Sequence, residues 1–308
     1  MIVNMKTRTL LICISVALLT GCNSDNEPAT PGSADGRVAL EATSGIQTRA
    51  YDNTWEANDA IGIYMLNGDV IDSEGNNRQY TATITDAAAS SAFSPGEGQT
   101  IYFPMDGTKR DFIAYYPYRA TLAENNVYTI DVTDQSSQKA IDLMGTTKVT
   151  EKDKLHPAVA FTFTHKLVKL YITINADGKS LTDNQLSGTT ATITNQQTAA
   201  TYNVVTGGNA TVTTDDAKEI ILHIDGLKAE GIVLPTASTA SMELTFTVPL
   251  LNQTFRWSID NAAQSQEFKA GSKYLYTITI SKTELEVTST VANWTEGNGE
   301  NGESGNAQ

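Results

Sequence analysis

The sequence predicts an all-β protein of antiparallel β-sandwiches in tandem. Three observations predict it. Short runs with period-two alternation recur along the chain, as where Val38, Leu40 and Ala42 alternate with Ala39, Glu41 and Thr43; a side chain returning to one face at every second position marks a half-buried strand. Turn signals separate these runs, among them Asn67-Gly68-Asp69, Ser94-Pro95-Gly96, Asp106-Gly107, Asp177-Gly178, Gly207-Gly208 and Asp225-Gly226. Long helical periodicity is scarce, and only residues 122–125 and 136–143 hold a turn or two of helix. Thr is abundant and Lys sparse, which suits exposed strand faces, where β-branched side chains fit the pleat.

The chain begins with Lys6 and Arg8, an apolar run over residues 10–19, and Leu19-Thr20-Gly21-Cys22. The run is too short to cross a bilayer, which takes about 20 residues. A basic start, an apolar centre and a small residue before cysteine form a bacterial lipoprotein signal over residues 1–22, with Cys22 as the lipidated residue. Met5 is a second candidate start. Residues 23–36 are rich in Pro, Gly, Ser, Asn and Asp and read as a flexible tether.

The first strand follows at 38–43. Further strands are predicted at 60–66, 79–84, 100–103, 111–116 and 127–131, then at 158–164, 168–175, 189–194, 199–205 and 219–224, and finally at 243–248, 253–259, 273–281 and 284–291. So many short strands exceed one compact sandwich, so the reading is two, at 37–165 and 166–295. From residue 296 the tail is Gly, Asn, Glu and Ser, a composition that cannot build a core, and it is expected to be disordered over 296–308.

Composition narrows the function. Cys13 leaves with the signal and Cys22 carries lipid, so the mature chain has neither disulfide nor cysteine metal site. The formal charge of −14 disfavours nucleic acid and anionic lipid faces as partners. Loss of Lys6 and Arg8 with the signal takes it to −16. His156, His165 and His223 have no partner at metal-ligand spacing, and no Gly-x-Ser-x-Gly, phosphate loop or His-Glu-x-x-His occurs. Asp134, Asp142 and Asp153 lack the tight spacing of a calcium loop. Asp215-Asp216 sits in a Thr-rich turn. The aromatics Tyr115-Tyr116-Pro117-Tyr118 read first as a core-facing strand end, with a sugar platform as the alternative. No enzyme, cofactor or metal is expected.

Five blocks carry a resemblance. They are Trp55-Glu56-Ala57-Asn58-Asp59-Ala60-Ile61-Gly62-Ile63-Tyr64; Tyr102-Phe103-Pro104 with Asp111 to Tyr118; Asp142-Leu143-Met144; Phe161 to Leu170, which includes His165-Lys166-Leu167; and Tyr274 to Ile280 with Trp294-Thr295-Glu296-Gly297. In this order, over residues 37–297, they resemble the fimbrillin-like proteins, type V pilin subunits of Gram-negative gut and oral bacteria. The resemblance implies two transthyretin-like β-sandwiches and a lipidated precursor delivered to the outer membrane and exposed at the surface. It also implies trimming by an extracellular Arg-specific protease, which removes the first strand so that a strand of another subunit fills the groove.

Here the scissile bond would join Arg49 to Ala50. A cut there releases the strand bearing Val38, Leu40 and Ala42, whereas a cut at Arg37 would not; the alternative is an ordinary loop arginine and a permanent anchor. Leu285, Val287, Ser289 and Val291 share one face of 284–291, the best donor strand. If that segment is fixed in its own sandwich, the subunit is a tip or accessory component. The partners implied are other pilin subunits (self, tip or anchor), the outer-membrane lipid through Cys22, and a host protein or glycan. The competing class is a glycan-binding surface lipoprotein of a nutrient-uptake system, with Trp257, Tyr115 or Tyr118 as its platform.

Overall fold

The computed structural model describes residues 36–46, 54–213, 216–293 and 303–306. Ten strands come first: β1 Glu41–Ile46, β2 Ala60–Asn67, β3 Val70–Ile71, β4 Arg78–Ala82, β5 Ser90–Pro95, β6 Arg110–Tyr116, β7 Val127–Asp131, β8 Met144–Thr146, β9 Val149–Lys152 and β10 Ala158–His165. Twelve follow: β11 Val168–Ala176, β12 Thr190–Gln197, β13 Ala199–Asn203, β14 Thr211–Val212, β15 Ala217–Ile221, β16 His223–Asp225, β17 Lys228–Val233, β18 Glu243–Val248, β19 Gln253–Ser258, β20 Ser272–Ile280, β21 Leu285–Asn293 and β22 Glu303–Asn306. Among the described residues the α-helix is one turn, Gln138–Ile141.

Nine of the first ten strands make one sheet in the order β3-β2-β4-β5-β1-β10-β8-β6-β9. β2 also pairs with β6, so the sheet rolls up and closes on itself, where the sequence reading expects two layers. The reason lies in β2 and β6, which are buried on both faces. Ile61, Ile63, Met65, Phe112 and Ala114 face the core inside the rolled sheet; Tyr64, Leu66, Ile113 and Tyr115 face a second core shared with the C-terminal half. Strands buried on both sides read as continuous apolar runs rather than as alternation.

The C-terminal half stacks two sheets, β16-β17-β11-β20-β21-β22 and β15-β12-β18-β19. Leu170, Ile172 and Ile174 of the first meet Ile193, Leu244 and Phe246 of the second in that core. A small sheet, β14-β13-β7, stitches the halves together through β7 and β13. Two pairings are parallel, β1 with β10 and β11 with β20, so both large sheets are mixed rather than wholly antiparallel. Parallel neighbours need a long crossover, which the intervening strands supply.

Several boundaries differ from expectation. The first strand runs from Glu41 to Ile46 rather than from 38 to 43, because residues 38–40 bond to Ile101 and Phe103 before the chain enters the ladder with β10. The run at 219–224 breaks into β15 and β16, because the chain passes from pairing with β12 in one sheet to pairing with β17 in the other. β5, β8, β9 and β17 carry too little alternation to be foreseen. The tail, expected to lack structure, contributes β22, paired antiparallel with β21 from Glu286↔Asn306 to Ser289↔Glu303; backbone pairing requires no apolar side chain. Cys22, Arg49 and Ala50 lie outside the described residues.

Candidate functional site: a buried first strand

The chain enters the fold through residues 38–46. The Phe103 N–H donates to the Val38 carbonyl and the Leu40 N–H to the Ile101 carbonyl, both at 2.9 Å. β1 then runs between two neighbours. It is antiparallel to β5, from Ala42↔Phe93 to Gly45↔Ser90, and parallel to β10, from Glu41↔Ala158 to Ile46↔Phe163. The Glu41 N–H donates to the Pro157 carbonyl (3.0 Å) and the Ile46 N–H to the Ala89 carbonyl (3.1 Å). β1 is therefore an interior strand made from the first described residues of the chain.

Alternation sets what it buries. Leu40, Ala42, Ser44 and Ile46 point into the rolled core, while Glu41 and Thr43 are exposed. Val38 is half-buried against the same core. Leu40 and Ile46 each contribute roughly 1.5–3 kcal/mol on burial. The sequence places Val38, Leu40 and Ala42 in one strand; Ala42 lies in β1, while Val38 and Leu40 precede it and bond through their backbones to Phe103 and Ile101. Ser44 and Ile46 complete the inward face; continuing the alternation past Thr43 would have found them.

Trp55 is packed against both walls of this slot. Its ring lies edge-on to Phe93 of β5 (5.0 Å between centroids) and to Phe163 of β10 (5.2 Å), and also to Tyr116 (5.4 Å). Asp59 ties the next turn. One carboxylate oxygen accepts from the Glu56 N–H (2.8 Å), and the other accepts from the Tyr116 hydroxyl (3.0 Å) and the Lys139 ammonium (2.9 Å). Burial, followed by the Asp59 charge, pushes the Tyr116 phenol far above its ordinary value. The spacing Trp55-x-x-x-Asp59 thus pairs a wedge between the walls with a carboxylate that fixes the adjoining strand.

The donor candidate has a different setting. β21 pairs with β20 over nine residues, from Ser272↔Asn293 to Ile280↔Leu285. Leu285 and Val287 belong to the second core, Val291 packs against it, and Ser289 is buried. This segment is built into its own sheet.

The remaining sequence candidates fall apart as sites. His165 is buried, its Nδ1 2.8 Å from an Asp142 oxygen, and exposed His156 meets Asp153 at 3.0 Å. Asp134 accepts from the Ser136 N–H (2.9 Å). Trp257 and Tyr115 are buried in the core, and Tyr118 is half-buried against it. A cleft of about 460 Å³ beside Asp69, Val70, Asn125 and Asn203 has no aromatic ring in its lining.

Comparison with known proteins defines the class. The chain belongs to the fimbrillin-like family, whose model matches residues 48–294. Over 303 residues, 97% of this chain and 98% of the relative, it is 66% identical to a Bacteroides uniformis protein named as the fimbrium subunit Fim1C. A crystal structure from Bacteroides uniformis ATCC 8492, described as a cell adhesion protein, is 67% identical with a TM-score of 0.80, over 85% of this chain and 99% of that one. A second, described in the same words, from Bacteroides ovatus ATCC 8483, shares the fold at 18% identity and a TM-score of 0.65, again over 85% and 99%. The chain is a structural protein of this family, not an enzyme.

Proposed function

We propose that the chain is a fimbrium subunit whose first strand is a removable plug. One observation carries this reading: β1, Glu41–Ile46, is an interior strand held between β5 and β10, and residues 38–40 lead into it along Ile101 to Phe103. Loss of an edge strand would leave one new edge; loss of β1 leaves two, facing each other across an apolar slot. Unpaired edges of this kind recruit an extended segment of another chain by strand addition. The relative named as a fimbrium subunit is consistent with that role.

In this reading Cys22 carries the lipid that delivers the precursor to the outer membrane, and a cut between Arg49 and Ala50 frees β1. The two halves, 37–165 and 166–295, are the transthyretin-like units of the family, and surface exposure and adhesion follow from assembly into a fimbrium. β21 adds a constraint on position. Its inward side chains hold the second core together, so the chain accepts a strand but keeps its own, as suits a tip or accessory subunit.

Mass spectrometry of the N-terminus on native cell surfaces tests the processing. A free Ala50 is the expected product; lipidated Cys22 on the assembled fimbrium would refute it. Deletion of residues 22–49 should yield protein that captures strands in trans. A truncated protein that stays strictly monomeric in the presence of other fimbrial subunits counts against the plug.

A further inference from the structure

This inference rests on β1 being removable, and concerns what replaces it. Of the inward residues of β1, Ala42, Ser44 and Ile46, Ser44 is the misfit. It is 3% exposed, and its Oγ has no hydrogen-bond partner. Its neighbours across the ladders are Phe161 of β10 and Ser91 of β5. The Phe161 ring carries no oxygen or nitrogen acceptor, and the Ser91 hydroxyl, which donates to the Ala92 carbonyl (2.6 Å), makes no hydrogen bond to Ser44. A buried hydroxyl without a partner forfeits its hydration and gains nothing in return. At this point the slot suits an aliphatic side chain, and β1 presents a polar one.

The chain's own C-terminal strand repeats the misfit. Leu40-Glu41-Ala42-Thr43-Ser44-Gly45-Ile46 and Leu285-Glu286-Val287-Thr288-Ser289-Thr290-Val291 share leucine, glutamate, threonine and serine at the same places. Laid in the slot in the register of β1, β21 would set Ser289 on the Ser44 position and leave the same orphan hydroxyl. It would also have to abandon nine pairs with β20.

We propose that the slot is specific for a strand of a different subunit, one with alternating aliphatic side chains and an aliphatic residue, not a hydroxyl, at the Ser44 position. A second copy of this chain is the weaker ligand. β1 is then a placeholder that fills the slot well enough to fold the subunit and poorly enough to be displaced.

The test uses the full chain with a rare-cutting protease site in place of residues 47–50, cut so that β1 is free to leave. The probes are three labelled peptides spanning residues 284–293: the natural sequence, S289A and S289V. Removal of the orphan hydroxyl should tighten binding about tenfold for S289A and S289V over the natural peptide. Equal or tighter binding of the natural peptide overturns the inference. A second arm needs no exchange: S44A in the uncut chain should raise the unfolding midpoint, and an unchanged or lower midpoint also overturns it. If no peptide binds although S44A stabilises, the removable strand is the reading that has failed, and the partner inference falls with it. If all three peptides bind alike, the inference alone has failed.

Discussion

Leu40→Ala is the most direct perturbation of the plug. Leu40 is 5% exposed, sits in the core with Phe93 and Phe103, and donates its N–H to Ile101. Leucine-to-alanine changes in a core cost about 2–5 kcal/mol, depending on how far the site collapses. Half-buried Val38 lies beside Leu40 at the rim, where collapse is easier, so the lower part of that range, about 2–3 kcal/mol, applies. At 1.4 kcal/mol per factor of ten, β1 should open roughly 30- to 100-fold more often. Native-state hydrogen exchange reads this at the amides of Leu40, Glu41 and Ile46, which bond to Ile101, Pro157 and Ala89. The control is Leu285→Ala, at a residue 4% exposed but in the other core; it should speed exchange in β20 and β21 instead. The reasoning is refuted if Leu40→Ala leaves β1 protected, or speeds all slow amides equally. Either result means that β1 opens only with the whole chain and cannot be exchanged from a folded subunit.

Four further outcomes are expected. Tyr202→Phe should raise stability at neutral pH by about 1 kcal/mol in urea unfolding, because the Tyr202 hydroxyl is buried without a partner; a loss would refute this. Burial pushes the phenols of Tyr64, Tyr80 and Tyr202 up to about 12. The folded chain therefore keeps protons that the unfolded chain releases above about pH 10, so this share of the stability is whole below pH 10 and is lost from there towards pH 12; the urea midpoint should fall over that window, less steeply in Tyr202→Phe. Gly62→Ala should cost about 1–3 kcal/mol or more in thermal unfolding, since a Cβ there would lie 2.1 Å from the buried Tyr115 ring. Lys169→Ala should cost about 3–5 kcal/mol, because it leaves Glu230, now 2.6 Å from the buried ammonium, without that partner.

How much of this was legible in the sequence depends on the strand. Val127–Asp131 and Glu243–Val248 fall where the sequence predicts them, because each alternates cleanly across one buried face. The slot was half legible. β1 and β10 alternate, but β5, the other wall, reads Ser90-Ser91-Ala92-Phe93-Ser94-Pro95, with one large apolar residue and a turn signal at its end, so it is not among the predicted strands. Its strand character comes from its neighbours β4 and β1, not from its own side chains. Trp55 was visible as part of a family signature, but its contact with both walls depends on a fold that joins residues far apart in sequence. β22 was illegible for the same reason as β5, since its pairing is with backbone.

The two Leu-Glu-x-Thr-Ser strands show why pattern alone cannot separate a plug from a pillar. Both alternate, both bury a leucine at the first inward position, and both bury a serine at the third. Their roles differ through topology. Each is flanked on both sides, β1 by β5 and β10 and β21 by β20 and β22; the proposed cut between Arg49 and Ala50 would free β1 alone and leave two walls that Trp55 touches. β21 follows β20 through a short hairpin whose Ser281 N–H bonds the Glu284 carbonyl (2.9 Å), and it covers Tyr276 and Ile278 within the core of its own half. Its departure would part it from both β20 and β22 and take Leu285 and Val287 out of the second core. A strand that can be exchanged must be interior in space and terminal in the chain, with no residue before it that the core requires. In the proposed function, the segment from Val38 to Ile46 is that strand: it holds the first described core residues and lies between two walls.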